Sequence, residues 1–151
     1  MARDNDAHEF YLKVGRSMGG CQLVEQELKL YIAEAFLLVK KQIGNVMPFK
    51  FDGKDYEDAP LGTLIRGFSR LNDNDDLIKS LKAFVKERNF LSHRAVTSCY
   101  YPDGSRSHAD MSDLEPRLKD IEAKAEELTE AIHLEGNRIM CLLYFEDLDA
   151  P

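Results

Sequence analysis

Cysteine is scarce in this chain and arranged without a pattern. Cys21, Cys99 and Cys141 are an odd number, widely spaced and without a C-x-x-C pair, which gives neither a disulfide framework nor a zinc knuckle. They read as reduced thiols. Long hydrophobic runs are also missing: nothing approaches the ~18 apolar residues of a membrane span. Residues 1–8, Met-Ala-Arg-Asp-Asn-Asp-Ala-His, lack the apolar centre and small-residue cleavage site of a secretory signal. The expectation is a cytoplasmic protein with no membrane partner. Two catalytic signatures find no support. Gly15-Arg16-Ser17-Met18-Gly19 spells Gly-x-Ser-x-Gly but lies in a helical stretch with no strand before it, so Ser17 is not on a nucleophile elbow, and Ser69 and Ser92 lack the pattern. Gly15, Gly19 and Gly20 are followed by no Gly-Lys-Ser or Gly-Lys-Thr, so they are not a phosphate loop.

What is present fits one globular domain spanning 1–151. The composition is 44% hydrophobic and 31% charged, and a chain of this size can withdraw roughly 68–70% of its unfolded surface from water. The net charge of −7 argues against a protein that coats nucleic acid with its whole surface. The charge is uneven, however. Between 77 and 96, Lys79, Lys82, Lys86, Arg88 and Arg94 face a single acid, Glu87, so this stretch carries +4 and the remainder −11.

Apolar periodicity predicts helices almost throughout. Over 10–43, the positions Val14, Met18, Cys21, Glu25, Leu28, Ile32, Ala35 and Val39 alternate by four and three and form one stripe. Gly15, Gly19 and Gly20 each weaken that helix by about 1 kcal/mol relative to alanine, so a late start or a bend is expected there. The stretch 49–56, with Asp52-Gly53 at its centre, suggests a small hairpin or tight loop. Asp58 as cap and Pro60 in the first turn open a short helix over 61–71. A third helix follows the polar break at 72–76, with Leu77, Ile78, Leu81, Phe84, Val85, Leu91, Ala95 and Val96 at helical spacing. Residues 97–111 read as a loop or short hairpin with a turn at 101–105. Ser112 and Glu115 form a capping box for a long fourth helix running to Leu143. The expected fold class is all-α: an antiparallel, up-and-down bundle of four to five helices with loop or small-hairpin insertions.

One cluster looks chemical. At roughly 100° per residue, Arg88 falls near the middle of the apolar arc of the third helix, and His93 lies ~140° away. Asn89, four residues before His93, can reach it. A guanidinium in an apolar stripe cannot shed its charge and needs a carboxylate, a phosphate or an open groove. Glu25, an acid inside the stripe of the first helix, is the candidate partner. Lys79, Lys82 and Lys86 are more often a solvated face than an RNA track. His93, Cys99 and His108 match no structural zinc spacing, so neither a metal nor another cofactor is expected.

The segment Glu87-Arg88-Asn89-Phe90-Leu91-Ser92-His93 resembles the signature of the HEPN superfamily, in which an arginine, usually followed by a polar residue, precedes a histidine by a few positions. The layout resembles it too: two long helices, a shorter second one, and the motif on the third. The resemblance covers the arrangement of most of the chain but only these few identities. It implies a metal-independent endoribonuclease working as a homodimer, with Arg88, Asn89 and His93 of two protomers facing one cleft. Ser92 and Glu25 are then supporting residues, and Lys82, Lys86 and Arg94 are RNA contacts. It also implies a toxin or phage-defence role, with a nucleotidyltransferase-like antitoxin as one partner. Some such toxins carry a tyrosine two residues after the histidine for nucleotide attachment; here that position is Ala95, which puts silencing by that route in doubt. The alternative is a non-enzymatic bundle that binds protein or RNA, with Arg88 serving an interface.

Overall fold

A computed structural model describes residues 2–99, 101, 103–105 and 107–145, the side chains of 2–6 and 108 excepted. Among these residues the chain is all-helical, with four α-helices and no strand: α1 (Ala2–Ile43), α2 (Leu61–Phe68), α3 (Asp75–His93) and α4 (His108–Tyr144), joined by single 3-10 turns at Gly53–Tyr56 and Thr97–Cys99. No described helix is long and apolar enough to cross a membrane.

The glycines of α1 neither delay nor break it, and of the three Gly20 has a packing role while Gly15 and Gly19 face open space. A Cβ on Gly20 would stand 2.9 Å from the Cβ of Ala125, so the missing side chain is what lets α1 and α4 approach closely. These two helices form the spine of the molecule, and they run parallel. Buried Ser17 donates its hydroxyl proton between the carbonyls of Lys13 (3.0 Å) and Leu118 (2.9 Å), and Lys13 pairs with Glu115 at 2.9 Å. Farther up the spine, Lys41 donates to the carbonyl of Leu143 at 2.9 Å. Separations of 101 residues at Ser17–Leu118 and 102 at Lys41–Leu143 hold one register from end to end.

The expectation of strict up-and-down alternation therefore fails at α1 and α2. The connector 44–60 turns back along α1 instead of ending in a tight reversal. It docks through Phe49, Phe51 and Tyr56, whose rings lie 5.9–6.0 Å from that of Phe36. The expected hairpin is a 3-10 turn with its own capping box: Asp52 accepts from the Lys54 amide, and Asp55 accepts from the Asp52 amide. These local bonds satisfy the backbone without a partner strand. Pro60, not Asp58, is the N-cap of α2.

From α2 onward the helices alternate. Asn74 caps α3 by accepting from the Leu77 amide at 3.1 Å. The Nδ2 groups of Asn72 and Asn74 donate to Glu135 of α4 at 3.2 and 2.9 Å, and Asn72 also donates to the hydroxyl of Tyr31 at 2.9 Å. This network ties the top of α3 to both spine helices. At 101–105 the turn forms around Gly104 (φ 81°), with the Tyr101 amide donating to Ser105 O at 2.9 Å; Pro102 lies outside the described residues. The α4 start differs from expectation. Ser107 is the cap, accepting from the Asp110 amide, and Ser112 and Pro116 lie inside the helix. Met111 is buried and anchors the earlier turn, while Glu115 turns to Lys13 instead of back to its own helix end.

The core is continuous. It contains Val24, Leu28 and Ile32 of α1, Leu64 and Phe68 of α2, Leu81 and Phe84 of α3, and Leu118, Leu128 and Ile132 of α4.

Candidate functional site

The lower half of α3 carries the Arg-Asn-x3-His stretch, and two tertiary contacts fix its position. Arg117 of α4 reaches Glu87 through two hydrogen bonds, Nε at 2.8 Å and Nη2 at 3.3 Å. Its guanidinium also lies 3.5 Å over the ring of Phe90, adding a cation–π contact. Arg117 carried no signal in the sequence, because its partners are distant along the chain.

On the α1 side, Arg88 Nε donates to Glu25 Oε1 at 3.1 Å, and Nη1 donates to Ser92 Oγ at 3.1 Å. Ser92 in turn donates to the carbonyl of Arg88 at 3.0 Å. The two oddities of the apolar stripes thus meet. The Arg88 side chain keeps 30% of its surface exposed and that of Glu25 18%, so the pair sits at the core margin. Beneath it lies Cys21, whose thiol is pushed up to about 11, first by burial and then by Glu25, with Arg88 opposing. That thiol is an unreactive packing group.

Arg88 and Asn89 form one wall of a groove of about 330 Å³, and the first turn of α2 with Arg66 forms the other. The N-terminus of α2 has no side-chain cap. Thr63 and Leu64 bond back to the carbonyl of Pro60, which leaves the amides of Leu61 and Gly62 without a partner inside the helix. Two arginines and a helix N-terminus on one groove suit an anion. Arg66 and the α2 N-terminus were not singled out by the sequence pattern, because only the returned connector brings that turn beside α3.

His93 stands apart from this groove. It ends α3, is exposed, and its ring makes no hydrogen bond to a described residue. No hydrogen bond joins it to Asn89, which is also exposed. Lys79, Lys82, Lys86 and Arg94 are exposed on the same helix and its cap. A single chain therefore presents an anchored guanidinium with an anion groove, and separately a freely presented imidazole. No family model, curated protein or solved structure matches this chain.

Of the three residues weighed as metal ligands, Cys99 is buried, with its thiol raised mainly by burial, and the His108 side chain lies outside the described residues. Among the described residues no three His, Cys, Asp or Glu side chains gather as a metal-binding group. A larger groove lies elsewhere, between α1 and α4, and contains none of the motif residues.

Proposed function

We propose that this chain is an HEPN-like, metal-independent endoribonuclease acting as a homodimer, in the setting of a toxin or phage-defence effector. The observation that carries the reading is the division of the motif. Arg88 is locked by Glu25 at the mouth of a groove suited to phosphate, while His93 is open and unsupported on the same helix. A second copy completes such a half-site.

In this reading Arg88, with Asn89 beside it, holds the phosphodiester and offsets the charge that grows on it. His93 of one protomer accepts the proton of the ribose 2′-hydroxyl, whose oxygen attacks phosphorus. The partner's His93 gives a proton to the departing 5′-oxygen, and a 2′,3′-cyclic phosphate results. Lys82, Lys86 and Arg94 attract the flanking backbone, and Ser92 and Glu25 orient Arg88.

The test incubates purified protein with mixed RNA in EDTA beside Arg88→Ala and His93→Ala, with mass measured by light scattering. The reading expects a dimer and cleavage that persists in chelator and is lost in both variants. Chelator-sensitive cleavage, or cleavage that survives either substitution, overturns it.

One observation favours a second reading, a non-enzymatic interaction module. Arg88 already has two partners within its own chain, Glu25 and Ser92, as a purely structural or interface arginine would. In that reading RNA is bound or ignored but never cut, and Arg88→Ala lowers stability alone.

A further inference from the structure

Leu23, Leu30 and Leu37 are 58%, 45% and 51% exposed. They recur every seven residues on α1, on the face turned away from the core, and form an apolar ridge that drifts only about 20° per heptad around the helix. At 1.5 Å per residue the ridge is about 21 Å long, the length of four helical turns. Between it and α4 runs a trough of about 940 Å³ whose walls include Leu23, Glu27, Glu122, Glu126, Glu130 and His133. The trough continues past Leu30, Glu34 and Met140 into a second hollow that shares Glu27 and His133.

Its charge is one-sided. Five carboxylates, those of Glu27, Glu34, Glu122, Glu126 and Glu130, line the trough and its continuation. The counter-charges gather at one end, where Arg16 and Glu122 are shared with a further hollow that carries Lys13 and Lys119; along the trough itself the His133 ring stands 3.4 Å from Glu27. The Glu34 carboxyl is raised above its ordinary value, first by burial and then by Glu27 beside it, with His133 opposing.

We propose that this trough is a docking site for a cationic amphipathic helix of a partner protein. Apolar side chains at seven-residue spacing pack on the leucine ridge, and lysines or arginines on the helix flank meet the glutamates. Charge decides between occupants. A second copy placed symmetrically on the same face would set Glu27, Glu126 and Glu130 against their own likenesses, and RNA phosphates or an anionic lipid surface would be repelled. A helix in a groove, read through i and i+7 anchors, is an established recognition mode, and here the anchors and the charge agree. The site lies on the α1–α4 face and is independent of the Arg88–His93 reading.

The test uses the full chain and a three-heptad helical peptide with leucine at the first and fourth positions and lysine on the flanks, followed by fluorescence anisotropy. Two controls accompany it: the same peptide with glutamate for lysine, and a scrambled peptide of identical composition. The lysine peptide should bind, the glutamate peptide should not, and the scrambled one should bind at least ~10-fold more weakly, because charge sets partner choice but not seating. Glu126→Lys/Glu130→Lys, both exposed and checked for folding by circular dichroism, should weaken the lysine peptide by ~10-fold or more and admit the glutamate peptide. Leu30→Gln should weaken binding at unchanged charge. Equal binding of the scrambled peptide, indifference to the charge reversal, or no binding of the lysine peptide overturns the proposal. So does a concentration-dependent dimer that Leu30→Gln abolishes, because a second copy would then cover the face.

Discussion

Replacing Glu25 by alanine isolates the contact on which the geometry of the site depends. The substitution leaves Arg88 at the core margin with Ser92 as its remaining side-chain partner. Breaking a fully buried ion pair costs about 3–5 kcal/mol, whereas an exposed pair is worth about 0–1 kcal/mol. With 18% of the Glu25 side chain and 30% of Arg88 exposed, water reaches the pair in part, and the expected loss is about 2 kcal/mol. In a chain of 151 residues that corresponds to a fall in Tm of about 4–8 °C. The assay is thermal and urea unfolding followed by circular dichroism, with Glu126→Ala as the exposed reference, expected within about 0.5 kcal/mol of the parent. A double-mutant cycle with Arg88→Ala then separates the pair from the packing of its stems. If Glu25→Ala matches Glu126→Ala, or if the two losses at Glu25 and Arg88 simply add, the reasoning is refuted.

Neighbouring glycines give the next contrast. Gly19→Ala meets nothing within 4 Å and should stabilise by about 0.5–1 kcal/mol through helix propensity, whereas Gly20→Ala drives a Cβ to 2.9 Å from Ala125 and should destabilise by about 1 kcal/mol net. Unfolding midpoints of opposite sign for the two variants check this, and Ala125→Gly should rescue the second. Pro116→Ala restores an amide inside α4 and should stabilise by about 1–3 kcal/mol in denaturant titration. Thiol labelling should find Cys141 reactive in the folded chain and Cys21 and Cys99 silent until unfolding, because burial excludes reagent and holds both thiols protonated.

Periodicity made faces legible and directions illegible. The stripe through Cys21, Leu28 and Ile32 gave the buried side of α1, and those residues are in the core. No feature of such a stripe says which way a neighbouring helix runs. That is decided by the path of 44–60, held by a ring cluster whose members, Phe36 and Phe49 to Tyr56, looked like parts of separate elements. Glu25 and Arg88 were legible because charge inside an apolar stripe demands a partner. The starts of α2 at Leu61 and of α3 after the break at 72–76 were legible as well; that of α4 was not, because Glu115 had a better partner in Lys13 than in its own cap. Asn89 and His93 had a helical spacing that permitted contact. The structure leaves both in solvent, since a four-residue interval allows proximity but supplies no reason for it.

The shared direction of the first and last helices has a mechanical consequence. The N-terminal end of α1 and the C-terminal end of α4 lie at opposite ends of a rod about 60 Å long. A force applied between those ends would slide one helix along the other and strain all their cross-links together instead of opening them one by one. This molecule should therefore resist stretching along that axis more strongly than a hairpin-like bundle pulled from adjacent ends.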